Sequence, residues 1–157
     1  MTQQERIADQ FDSMAALVAE DKKCQAINLD VSGWSVAQHL DHLLKAAGRI
    51  CTQINLKDKK ATKRKNLLGY VILSIGIIPK GRKSPRAVEG QPTSTEELFK
   101  SLQNVKSLFE KIDFSNLQLT SFDHHVFGGL NGKDWLRFMQ IHNGHHLKII
   151  DKVLGSI

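Results

Sequence analysis

Residues 134–154, DWLRFMQIHNGHHLKIIDKVL, decide the fold. Trp135, Met139, His142, His146, Ile149 and Val153 recur at spacings of 4, 3, 4, 3 and 4, the alternation of one helical face. The stretch predicts a last helix starting near Asp134 and running to about Leu154, with two imidazoles set into its apolar seam. At 3.6 residues per turn, His142 and His146 point within about 40° of each other. His145 lies about 100° away, on the flank beside Phe138. Unpartnered polar rings are costly on an apolar face. Two neutral imidazoles one turn apart can bind one transition-metal ion, which would offset that cost. The intervening residues are Asn143, Gly144 and His145, so the motif is not HExxH and holds no internal glutamate base.

A third ligand must come from elsewhere, and the second helix offers two. Val36, Leu40, Leu43, Ala47, Ile50 and Ile54 mark its apolar face. His39 lies near the middle of that arc and His42 towards its edge; periodicity alone slightly favours His39.

Working outward, helix dominates. Ile7, Phe11, Met14 and Val18 line a first helix that ends near Cys24. NLDVSGW breaks the chain, with Ser32 or Ser35 as a cap. The apolar run 67–78, LLGYVILSIGII, reads as helix or strand and ends at Pro79. KGRKSPRAVEGQPTS is a long loop, and Ser94 with Glu97 is a capping box for a helix through Leu98, Leu102, Val105 and Ile112. Residues 113–132 read as a connection punctuated by glycines, with no strand pattern that must pair. Four long amphipathic helices imply an all-α, four-helix bundle in one domain, 1–157, with the extra apolar segment and long loop between its second and third helices.

Composition agrees with a soluble globular chain: 157 residues, 41% hydrophobic and 24% charged. Two separated cysteines, Cys24 and Cys51, form no CxxC, and the N-terminus lacks the apolar core of a signal peptide, so a cytoplasmic location is expected. The net charge of +6 is local. Residues 57–86 carry ten Lys or Arg against Asp58 alone, which makes that segment +9 and the remainder −3. Its bland reading is a helix or buried linker with solvated basic ends; contact with a membrane surface or acidic partner is the weaker alternative. Sequence-specific nucleic-acid binding is not expected, since Tyr70 is the one aromatic there and no reader motif is present.

Three stretches resemble the DinB/YfiT-like superfamily of metal-binding helix bundles. GWSVAQHLDHLL resembles its second-helix segment, a tryptophan followed eight residues later by a ligand histidine; from Trp34 that gives His42. HHVFGGLNGKDW, 124–135, resembles its His-Pro-x-Phe-Gly-x-Leu segment, with His125 in place of proline. HNGHHLKII resembles its H-x-x-H-H segment, whose first and last histidines are ligands, with Lys148 and Ile149 replacing a frequent Gly-Gln. The resemblance implies a four-helix bundle, often dimeric, holding one divalent ion, usually zinc or nickel, on His42, His142 and His146. It implies hydrolase or low-molecular-weight-thiol transferase activity on a small-molecule substrate. Its alternatives are a metal-binding or stress-associated module without turnover, and a structural or membrane-surface bundle without metal.

His42 also has a physical argument: a site open to substrate belongs at the edge of an apolar face, leaving His39 as a supporting histidine. Three other residues have plainer readings. Asp41 is expected in solvent, Cys51 in the core, and Trp34 in packing at the helix start. Asp123 and His124 are further candidates for a base near the site.

Overall fold

The computed structural model describes residues 1–57, 59–79 and 85–155. Asp58, Lys80, Arg82 and Lys83 of the basic segment lie outside the described residues. Among those described there are six α-helices: α1 (Gln3–Val18), α2 (Asp21–Cys24), α3 (Val36–Asn55), α4 (Leu67–Ile75), α5 (Thr95–Glu110) and α6 (Gly132–Gly155). The long helices pack in a closed ring, α3 against α5 and α6, and α1 against the same two. Between them lie Ile7, Phe11, Met14, Leu40, Leu43, Leu98, Leu102 and Met139, all essentially inaccessible to water.

Local chemistry starts these helices where it is expected. Ser35 caps α3 and Ser94 caps α5, each in a reciprocal box with Gln38 and Glu97. Ser32 is therefore not the cap. All six apolar positions expected on α3 are buried. The first helix stops at Val18, short of Cys24, which belongs to the separate turn α2. The ambiguous run is helical: Asn66 caps α4, and Gly76, at φ 76°, ends it in the left-handed conformation that glycine adopts without strain.

The fold is mostly helical, and the all-α expectation needs amending. Within the connection 113–132, β1 (Ser121–His124) pairs antiparallel with β2 (Gly128–Asn131), in the register Ser121 to Asn131 through His124 to Gly128. Gly128 turns the chain at φ 78°, and a Cβ there would fall 2.2 Å from the Arg64 carbonyl oxygen. The segment before α4 runs alongside: Ser121 N–H donates to Lys59 O, and Asn66 N–H to Phe127 O.

The core line of α6 is shifted from the expected seam. Leu136, Met139, Asn143, Ile150 and Val153 are its most buried residues, while His142 and His146 lie on one flank of that line, less deeply covered. The seam reading assumes one covered face, whereas α6 is covered by α1, α3, α4 and β2. Asn143 is 1% exposed, and neither its amide nitrogen nor its amide oxygen has a hydrogen-bond partner among the described residues.

Candidate metal centre

Helices α3 and α6 bring His42, His142 and His146 together. One ring nitrogen from each lies within 4.8 Å of the others. His42 Nε2 and His142 Nε2 are 2.9 Å apart. Two imidazole nitrogens on one tetrahedral zinc, each about 2.0–2.1 Å from it, sit roughly 3.4 Å from each other. The observed spacings bracket that value, so the donor set fits an ion after small ring rotations.

His42 is held in the tautomer a metal needs. His42 Nδ1 lies 2.6 Å from Val88 O; a carbonyl only accepts, so Nδ1 carries the proton and Nε2 keeps its lone pair facing the cluster. His146 Nδ1 lies 2.9 Å from His39 Nδ1. In the arrangement that leaves His146 Nε2 free, its Nδ1–H donates to His39, and His39 Nε2–H donates to Ser32 Oγ at 2.9 Å. Ser32 Oγ in turn accepts from Trp34 N–H. The loop NLDVSGW thus orients a ring of α6 through His39. Phe138 stacks on the third ring, His142, with centroids 5.3 Å apart.

Electrostatics favour neutral rings. Burial, reinforced by neighbouring imidazoles, lowers His39 to about 4 and His142 to about 3, and it also pushes His146 down. Burial lowers His42 as well, against the opposing pull of its bond to Val88. None of these imidazoles needs to lose a proton before binding at neutral pH.

His42 is no edge residue. It is 2% exposed and His39 is 3% exposed, so the edge argument for His42 fails. The cover comes from a strap that periodicity does not reveal, the 3₁₀ turn Arg86–Val88 and the residues after it. Besides Val88 O on His42, Lys45 Nζ donates to Glu89 O, and Gln91 N–H donates to Asp41 Oδ2 at 2.8 Å. Asp41 also pairs with Lys45 at 2.6 Å, so it is a strap anchor rather than a solvated carboxylate. Gly90 lies so close to α3 that a Cβ would fall 2.2 Å from Gln38 O. Gly90→Ala is expected to lift the strap, destabilise the protein by about 1–3 kcal/mol and weaken zinc binding about 10–100-fold through His42. Gly33→Ala, where an added methyl meets nothing within 4 Å, is the control, and melting plus zinc titration of both variants reads the result.

Trp34 does more than start a helix. Its ring centroid lies 5.3 Å from those of His39 and His42, and it stacks over His146 at 6.4 Å. Asp123 does not reach the site: its carboxylate is exposed and accepts from Thr62 and Lys63, with the Thr62 hydroxyl foremost in holding it below the usual carboxylate range. His124 is buried behind Phe138, and its Nδ1 accepts from Val126 and Phe127 N–H, closing the hairpin turn. Cys51 is core, its thiol pushed up to about 12 by burial. A groove of about 380 Å³ between α3 and α5 is lined by none of the site's histidines.

The model of the DinB superfamily matches residues 5–150. The chain belongs to the DinB superfamily. No curated protein and no solved structure matches it. The DinB match covers all three histidines of the cluster, the strap over His42 and the loop that carries Trp34.

Proposed function

We propose that this DinB protein binds one divalent ion, zinc or nickel, on His42, His142 and His146, and that the site is that of a metalloenzyme, a hydrolase or a transferase to a low-molecular-weight thiol. The observation that carries the reading is the convergence of three imidazole nitrogens within 4.8 Å, with the far nitrogen of His42 committed to a carbonyl. Such an ion supplies Lewis acidity with a position left for water, a thiol or substrate. The chain's own residues do the rest: Val88 O and His39 orient two ligands, and Trp34 and Phe138 cover the rings with apolar surface. The ring of four long helices supports a four-helix bundle carrying α4 and the hairpin as additions, in one domain. A homodimer in the cytoplasm completes the proposal.

A second reading, a metal-binding module without turnover, is favoured by one observation. Among the described residues no carboxylate oxygen joins the three imidazole nitrogens, so the cluster itself holds no carboxylate base. Elemental analysis of untagged, chelator-free protein is expected to find about one equivalent of zinc or nickel. Metal-free protein would end both readings. A thiol-conjugation and esterase screen, repeated on His142→Ala, separates them: activity lost in the variant supports the enzyme, and metal without activity supports the module.

A further inference from the structure

Helix α4 is apolar on both sides. Gly69, Ile72 and Leu73 are buried, against the hairpin turn and α6. Leu67, Tyr70, Val71 and Ile75 fall at the i, i+3, i+4, i+8 positions of the opposite stripe, and all four face solvent, Leu67 at 79% and Ile75 at 62% exposure. A helix apolar all round is ordinarily covered all round, and a contiguous exposed apolar stripe marks an interaction site. The chain entering α4 adds charge. Lys59, Lys60, Lys63 and Arg64 are exposed, on a backbone fixed to the hairpin by Ser121 N–H on Lys59 O and by Thr62 and Lys63 N–H on Asp123. Lys65 instead turns inward, paired with Asp134 at 2.8 Å and lying over the Tyr70 ring.

We propose that the outer stripe of α4 lays the protein on an anionic lipid surface, with Leu67, Val71 and Ile75 at the acyl boundary and Lys63 and Arg64 among the headgroups. Nine residues of helix span only about 14 Å, and no helix among the described residues is long and apolar enough to cross a membrane. The helix therefore lies in the interface plane. Tyr70 suits that depth, with its ring apolar and its hydroxyl wet. Charge decides the occupant. A second copy seated on the same face through a two-fold axis would set two basic runs against each other, whereas an anionic surface gains about fivefold in partition for each base near it.

Co-sedimentation with vesicles tests this. The protein is expected to bind mixed phosphatidylcholine–phosphatidylglycerol vesicles at low salt and not phosphatidylcholine alone. Arg64→Gln should lower partition about fivefold, and Ile75→Asp at least tenfold. Both change exposed side chains, so unchanged circular dichroism confirms that each variant folds. Failure of the parent protein to bind the anionic vesicles, or equal binding by Ile75→Asp, overturns the proposal. Sedimentation velocity without vesicles supplies another arm: a dimer split by Ile75→Asp would show that a second copy covers the stripe, also overturning it. Binding to polyglutamate without vesicle binding would assign the basic run to acidic proteins and overturn it too.

Discussion

His42→Ala, His142→Ala and His146→Ala each lower zinc affinity by orders of magnitude, and His145→Ala leaves most of it. That is the expected result of calorimetric titration near neutral pH. The three sensitive rings place nitrogens within 4.8 Å of one another, so removing one leaves two ligands for an ion that needs at least three. The His145 ring lies edge-on to His146, centroids 5.3 Å apart, and is not part of the cluster. His39→Ala separates support from ligation. It removes the acceptor for His146 Nδ1–H and opens the link to Ser32, so affinity falls about 10–100-fold and stability by about 1–3 kcal/mol, but stoichiometric binding persists. Loss of the metal in His39→Ala with retention in His42→Ala would reverse the roles of these two histidines. Equal loss in all five variants would show that the effect is on folding and not on the site.

The chain announces this site unevenly. The α3 seam and the capping boxes at Ser35 and Ser94 are local, and local chemistry decides them. The convergence of His142 and His146 follows from helical pitch alone. Helical angle cannot choose between His42 and His39, because α3 buries both. What separates them is the partner each ring meets: Val88 O for one, the His146 ring and Ser32 for the other. Val88 is 46 residues from His42, on a loop without periodicity, and the one sequence sign of its path is Gly90, whose reason is a close approach to Gln38. The hairpin is hidden for a similar reason. Its strands are four residues each, and glycines occupy half of the second, so alternation has no length in which to appear. Asn143 sits on the core line of α6 because coverage by four elements, a tertiary fact, rotates that line away from the histidines.

Without metal, the protein should unfold in acid with a midpoint between about pH 4 and 5. Folding holds His39 at about 4 and both His124 and His142 at about 3, chiefly by burial, and it lowers His42 and His146 too. An unfolded imidazole titrates near 6.5. Between those values the unfolded chain binds protons that the folded chain refuses, so stability rises with pH. The contribution of the neutral rings is complete above about pH 6.5 and is lost as pH falls toward the folded values. Each ring then loses about 1.4 kcal/mol per pH unit, and His39, His124 and His142 together lose about 4. Two units of acidification therefore remove roughly 8 kcal/mol, within the 5–15 kcal/mol that a domain has to lose. The surface carboxylates Glu97, Asp113 and Asp123 are held below their usual range, chiefly by side-chain hydrogen bonds, so their contribution to stability is lost in the same direction as pH falls. Circular dichroism in EDTA across the acid range measures the midpoint, and the steepness counts the protons taken up, expected to be at least three. His124→Asn keeps an acceptor for the Val126 and Phe127 N–H groups while deleting one titrating ring, so it should shed one proton of steepness with no change in zinc stoichiometry. Zinc at about 100 times its Kd adds about 2.7 kcal/mol, enough to move the midpoint down by about 0.7 unit. A transition that takes up a single proton, or a fold intact at pH 3 in EDTA, would mean that water reaches these imidazoles, and the buried neutral cluster on which the metal site depends would not exist.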